Sequence, residues 1–326
     1  RINVMKNVSK LALFVAAGMM TAGAQAATIE IADGTSMELG GVFEGQYVSQ
    51  DTVNSSSTVA KNEDDLGGVV KFETAAVRSF ENFNAYVEAT FQFDTLDDGS
   101  SLGSDGAVFG LEGDFGQIEA GDSDSVYEDL ITDSLDFFEQ ADLGKAEVEP
   151  DEETMLTYYS PSIGGLSFNL QAAIQDESDG AAGTTRDAEE AFLASAAYDF
   201  GAGALHIGYN DRGFNTDSSD EVIGLAAVFG LGDSAEVAIK HEMQTEAGAD
   251  TDFTGIGLAF DYGMGNIYGA YQNVSPDGGD DKSQYAVGID TEIEDGFKLY
   301  AEMANFDGQA ANDADSLFAV GVIYGF

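Results

Sequence analysis

The chain has 326 residues, with 60 Asp and Glu against 12 Lys and Arg and a formal net charge of -48, which excludes a protein that lays basic groups along a nucleic-acid backbone. It has no Cys and only 2 His, so a disulfide framework, a thiolate metal site, a Cys nucleophile and a multi-His zinc centre are excluded as well. Yet 44% of it is hydrophobic, with 22 Phe, 13 Tyr, 40 Gly and 3 Pro, too apolar and aromatic a mixture for a disordered acidic chain.

In chain order the first expected element is an export signal. Lys6 and Lys10 precede an apolar run from Leu11 to Met20, and the small residues Ala24 and Ala26 precede the expected cut. That run falls short of the ~20 residues that a spanning helix needs. Residues 1–26 are therefore read as upstream residues (Arg1 to Val4) and a cleaved signal peptide, and 27–326 as a single mature domain. Nothing later in the chain approaches a spanning helix, so any membrane span must come from strands.

Strict period-two alternation follows, the mark of strands with two unlike faces. Met37, Leu39, Phe43 and Tyr47 share one face, and Glu38, Glu44 and Gln46 the other. Ala85, Val87, Ala89, Phe91 and Phe93 alternate in the same way with Asn84, Tyr86, Glu88, Thr90, Gln92 and Asp94. The pattern recurs over 166–175, 235–244, 284–293 and 297–304, giving about 16 segments, each near the ~10 residues of a tilted bilayer-crossing strand. Short turns at 78–83, 112–117, 160–165, 199–203, 230–234, 262–266 and 294–296 alternate with long polar loops near 49–65, 95–105, 122–153, 176–190, 211–220, 245–252, 273–282 and 306–315. Loops segregated by length predict an all-β, 16-stranded antiparallel transmembrane barrel with short periplasmic turns and long extracellular loops. Lipid is the solvent expected for the apolar faces, because a closed barrel satisfies its backbone without water.

Three segments carry a specific resemblance: GLEGDFGQIEAGDSDSVYED (Gly110 to Asp129), LTYYSPSIGGLSF (Leu156 to Phe168) and the terminal LFAVGVIYGF. The chain resembles the Gram-negative general diffusion porins of the 16-stranded, trimeric type. The resemblance implies a homotrimer in the bacterial outer membrane, in contact with lipid and lipopolysaccharide. It also implies a third loop (122–153) folded into the lumen, and a terminal Phe326 read by the outer-membrane assembly machinery. Where such porins commonly set a ladder of arginines opposite that loop, Asp105, Ala107, Asp122 and Tyr159 stand here. The usual charge-separated constriction is therefore not expected.

The alternation assigns the lumen. Glu38, Glu44, Glu73, Glu88, Glu112, Glu119, Asp199, Glu236, Glu242, Asp261, Asp290, Glu292 and Glu302 are expected to point inward, against four bases, Lys71, Arg212, Lys240 and Lys298. The third loop adds acid: Asp122, Asp124, Glu128, Asp129, Asp133, Asp136, Glu139 and Asp142 head a series balanced only by Lys145. Low-dielectric walls focus such a field and favour cations. The expectation is a water-filled, cation-preferring channel for passive diffusion of small hydrophilic solutes and ions. It needs no cofactor, although acidic loops such as that of Asp277, Asp280 and Asp281 can gather Ca²⁺ and Mg²⁺ diffusely. Two other readings stay open: a channel selective for sugars or oligosaccharides, and a non-conducting barrel that serves adhesion or receives phage. Catalysis is not expected, since His241 falls on the lipid-facing register and His206 has no identifiable nucleophile beside it.

Overall fold

The computed structural model describes residues 27–53, 60–95, 102–146, 154–174, 190–211, 220–246, 248–306 and 314–326. The expected signal peptide, the end of the third loop (147–153), Arg212 and the acidic loop after Ile174 lie outside them. Sixteen strands form one closed antiparallel barrel. They run from β2 (Thr35–Val53) and β3 (Ala60–Ser79) through β4 (Phe83–Asp94), β5 (Leu102–Gly113), β6 (Gly116–Gly121), β7 (Thr154–Tyr159), β8 (Leu166–Ile174) and β9 (Glu190–Asp199). The circuit continues through β10 (Gly203–Asn210), β11 (Glu221–Gly230), β12 (Ala235–Glu246), β13 (Ala249–Asp261), β14 (Asn266–Pro276), β15 (Lys282–Glu294), β16 (Phe297–Phe306) and β17 (Ala314–Gly325). Each strand pairs with the next, and β17 closes on β2 with Tyr324 opposite Phe43 and Gly325 opposite Val42. A short β1 (Ala27–Ala32) pairs with the start of β2, Ala27 opposite Leu39.

The turns at the expected periplasmic rim repeat one device. Asp-aromatic-Gly occurs at 114–116, 199–201 and 261–263. The Gly201 and Gly263 amides donate to the Asp199 and Asp261 carboxylates at 2.6 and 2.7 Å, and both glycines have a left-handed φ, 89° and 98°. Asp stabilises the local turn and Gly supplies the positive φ at no steric cost.

Two expected loops prove shorter. β2 and β3 stay paired up to Val53 opposite Ala60, so most of 49–65 is a ladder of 19 and 20 residues that outruns the ~25 Å apolar band. β12 and β13 pair as far as Glu246 opposite Ala249, which leaves a tight hairpin in place of the loop at 245–252. Both segments are polar, and polarity alone does not separate a loop from a strand extended above the membrane.

Alternation sorts the side chains as the sequence implies. Val87, Phe91, Phe109, Leu205, Ile207, Leu258, Val287 and Met303 are exposed on the outer face, where lipid rather than water meets them. The inner face carries the polar residues together with Tyr86, Tyr268 and Tyr300, all buried. These three rings lie flat over glycines of the neighbouring strand. A Cβ added at Gly110, Gly288 or Gly321 would fall 1.9, 2.2 or 2.3 Å from Tyr86, Tyr268 or Tyr300 respectively.

Candidate pore constriction

The third loop leaves β6 at Asp122 and is described to Ala146. It does not stand out into solvent. Val126, Tyr127, Ile131 and Ala141 are fully buried, and Leu135 and Phe138 nearly so, because the loop turns back into the barrel and lies along the inner wall from β8 to β16. Its apolar side chains enter sockets left by inward glycines. A Cβ at Gly208 on β10 would sit 2.7 Å from both Ile131 and Tyr127, and one at Gly224 on β11 2.4 Å from Ile131. On β13, Gly255 and Gly257 make room in the same way for Leu135 and Phe137. Phe138 then meets Tyr268 edge-on at 5.2 Å.

Hydrogen bonds fix the loop along its length. The Val126 amide donates to Gln171 Oε1 at 3.2 Å, and Gln171 Nε2 returns a bond to the Asp124 carbonyl at 2.8 Å. Tyr127 donates its hydroxyl to Glu242 at 3.0 Å. His206 Nδ1 lies 2.7 Å from the Leu130 carbonyl. At the far end Glu302 accepts three successive amides, Glu139, Gln140 and Ala141, at 2.8, 2.9 and 3.1 Å, and the Tyr268 hydroxyl at 2.8 Å. The Gly144 amide donates to Gln284. A loop whose buried backbone groups are satisfied this way is part of the wall.

This packing sorts the expected pore residues. Lys240 points inward but is 2% exposed, sealed beneath the loop and paired with the fully buried Glu242 at 2.7 Å. Lys298 pairs with Glu139 at 2.5 Å, and Lys145 with Glu128 at 2.6 Å. Glu302 is buried under the loop as its anchor. Glu119 is buried too, accepting from Tyr86 at 2.9 Å, Gln117 at 3.0 Å and Tyr159 at 3.2 Å, while Glu112 accepts from Asn84 at 2.8 Å. The arc of wall that the loop leaves uncovered holds Glu38, Glu44, Lys71, Glu73 and Glu88, whereas Asp199, Glu236, Asp261, Asp290 and Glu292 lie toward the short-turn ends of β9, β12, β13 and β15. On that arc the register sets Glu38 opposite Ala75 and Ala75 opposite Glu88, with Glu73 beside Gly40, Lys71 beside Val42 and Glu44 beside Val69.

On the loop's open side Asp122, Asp124, Asp129, Asp133, Asp136 and Asp142 stay exposed. The first five, with Glu128, Ser123, Ser125 and Met155, line a hollow of about 330 Å³. Enclosure by protein, reinforced by the charges of Asp124, Asp133 and Glu119, pushes Asp129 up to about 7. Enclosure and then Asp136 and Asp124 push Asp133 up to about 7, and enclosure and then Asp136 raise Asp142 to about 7. Asp136 is raised by enclosure, against the opposing pull of the Phe138 amide and Asp142. No group of three or more His, Asp and Glu among the described residues is arranged to hold a metal ion.

Alternation assigns the inward register but carries no sign of the sockets and anchors: Gly208, Gly224, Gly255 and Gly257, and the glutamines Gln171, Gln284 and Gln272, the last donating its side-chain amide to the Gly144 carbonyl. Their signal was present, as inward-register glycines on three strands together with Tyr127, Ile131, Leu135 and Phe137 in an otherwise acidic loop. Phe326 binds Gly41 through both backbone groups, at 2.9 and 3.0 Å, and its ring covers Gly41 and meets Phe72 edge-on at 5.9 Å.

Residues 12–325 match the Gram-negative porin family. A protein of Halomonas sp. named a monosaccharide porin is 27% identical over 97% of this chain and 99% of its own length, and a major outer membrane protein of Halomonas elongata matches to the same extent. The fold is that of the Rhodopseudomonas blastica porin. Two engineered variants of it superpose with a TM-score of 0.68 over 89% of this chain and 100% of theirs, at 15% and 14% identity. A closed 16-stranded barrel with an apolar outer belt, together with a family match over nearly its whole length, makes this chain a member of the Gram-negative porin family and an outer-membrane channel protein.

Proposed function

We propose that this porin is a water-filled, cation-preferring channel through which small hydrophilic solutes and ions diffuse passively. It works as a homotrimer after export and removal of residues 1–26. One observation carries the reading: carboxylates stand on both sides of the open lumen. Glu38, Glu44, Glu73 and Glu88 are on the uncovered wall and Asp129, Asp133, Asp136 and Asp142 on the loop, while the inward bases Lys240 and Lys298 are paired with acid. Anions meet one sign of charge from every side, and low-dielectric walls prolong that field along the pore. Divalent cations gather in it as diffuse counter-ions. Lipid and lipopolysaccharide cover the outer face, and the assembly machinery reads the chain's end at Phe326.

The name of the Halomonas relative favours a second reading, a channel selective for monosaccharides. The inward aromatics speak against a sugar-stacking slide, because Tyr86, Tyr268 and Tyr300 are buried over glycines and the first two are bonded to Glu119 and Glu302. Single-channel recording with added glucose separates the two readings. A general pore conducts K⁺ without a saturable sugar block. A block that saturates with glucose and spares an equally sized polyol belongs to the sugar-selective channel.

A further inference from the structure

On the reading of the pore as cation-preferring, we propose that Lys145 is the residue that sets how the constriction treats divalent against monovalent cations. Its ammonium is a tethered counter-ion of the acidic hollow and keeps that hollow from holding back a doubly charged ion.

The backbone around Lys145 is pinned. The Gly144 amide donates to Gln284 Oε1 at 2.9 Å, the Gly144 carbonyl accepts from the Gln272 side chain, and Ala146 is buried. From that fixed point on β14 and β15 the lysine reaches back to the start of the loop. Its Nζ donates to Glu128 Oε1 at 2.6 Å, across 17 residues of sequence. Glu128 lines the hollow together with Asp122, Asp124, Asp129, Asp133 and Asp136, so the ammonium stands among carboxylates. Against the enclosure that raises Asp133, Asp136 and Asp142, its charge pulls the other way at all three. Asp133 also feels Lys240, but that base is sealed beneath the loop and paired with Glu242. Lys145 is exposed, and of the two it is the base that a passing ion meets. These surroundings lie inside the barrel and are the same in a single chain and in a trimer.

No group of three or more His, Asp and Glu among the described residues is arranged to hold a metal ion, so an ion in the hollow is met as a charge rather than coordinated. Coulomb energy scales with the charge of the ion. Removing one fixed positive charge therefore favours Mg²⁺ in the hollow by twice the free energy by which it favours K⁺, and the pore shifts from passing divalent ions to retaining them.

The test is recording in planar bilayers. The chain has no Cys, so Lys145→Cys introduces a single thiol that can be charged in place. With the thiol neutral, the K⁺-over-Cl⁻ permeability ratio should rise, and the Mg²⁺ concentration that halves the K⁺ current should fall about tenfold. Aminoethyl methanethiosulfonate, which restores an ammonium through a disulfide, should return both readings toward wild type, and the sulfonatoethyl reagent should drive both further away. Glu128→Gln breaks the same ion pair with the opposite change of charge and should shift both readings the other way. Unchanged Mg²⁺ sensitivity in Lys145→Cys, or shifts of one sign in Lys145→Cys and Glu128→Gln, would overturn this role and leave the pair as a strap between two parts of the loop. The wild-type zero-current potential in a KCl gradient reports separately on the cation preference: an anion-selective sign would refute that reading, while the direction of the variants' shifts would still decide the role of Lys145.

Discussion

The Tyr127 hydroxyl donates to Glu242 at 3.0 Å across 115 residues of sequence, with both side chains fully buried. Glu242 is also the partner of buried Lys240, so one carboxylate joins the root of the third loop to the wall and neutralises an ammonium that has lost its water. Removing Glu242 should therefore cost far more than removing the tyrosine hydroxyl. Glu242→Ala leaves Lys240 buried and unpaired, a loss of about 3–5 kcal/mol, whereas Tyr127→Phe should cost about 1 kcal/mol. Thermal unfolding should rank them in that order, and open-channel noise should rise most in Glu242→Ala.

Gly224 tests the sockets. A side chain there meets Ile131 at 2.4 Å and Tyr127 at 2.5 Å, so Gly224→Val must push the loop off the wall or strain the strand. Overpacking of this kind costs about 1–3 kcal/mol. Single-channel conductance should change, whereas Gly232→Val, in an open periplasmic turn with nothing within 4 Å, should leave conductance unaltered even though its positive φ of 72° makes that substitution strained.

The loop's titration sets a pH dependence. Asp129, Asp133 and Asp142 are each raised to about 7, so enclosure by the surrounding protein and the charge of neighbouring carboxylates oppose their ionised forms. Above pH 7 they carry charge, and as pH falls through about 7 they take up protons and the loop loses negative field. Cation selectivity should weaken between about pH 8 and pH 6. The contribution to stability has the opposite sense: a carboxyl with a raised folded-state pKa favours the folded loop at low pH and loses that contribution as pH rises through about 7. Unfolding monitored across the same window should show the loop less stable at the alkaline end.

Phe326 joins the two ends of the circuit. Its ring covers Gly41 and contacts Phe72 and Tyr324, so Phe326→Ala should loosen the β17 to β2 seam by about 1 kcal/mol from the aromatic contacts. In refolding into detergent micelles, where no assembly machinery is present, the variant should give a lower midpoint. An unchanged midpoint would assign the residue to recognition alone.

Much of this architecture was legible because a strand buried on one face and lipid-bathed on the other writes its register into every second residue. Val87 and Glu88, or Met303 and Glu302, declare their sides without any tertiary information. The third loop was legible only as acid. Its path depends on pairings such as Tyr127 with Glu242 and Ile131 with Gly224, whose members are remote in sequence and carry no shared periodicity. Lys240 shows the consequence. Its register is inward, yet a loop more than ninety residues earlier covers it, so counting inward charges overstates the base in the pore. Strand ends failed for another reason: above the membrane a polar strand such as β2 beyond Tyr47 has no apolar face to mark it.

Neutralising the loop should separate the pore from the surface field. Asp129→Asn, Asp133→Asn and Asp136→Asn together remove charge from the acidic hollow, while the same change at Asp277, Asp280 and Asp281 acts on an exposed outer loop that salt screens beyond ~10 Å at 0.1 M. The first triple variant should lower the cation-to-anion permeability ratio at neutral pH, and the second should do much less. Equal effects would place selectivity in the surface field.

The zero-current potential of the wild-type channel in a KCl gradient tests the central claim most directly. Carboxylates on both sides of the lumen require the sign of a cation-selective pore, a potential that shrinks as ionic strength rises and a further loss as pH falls through about 7. An anion-selective sign, or a potential near zero at low salt and pH 8, would contradict the inward register and the acidic constriction together.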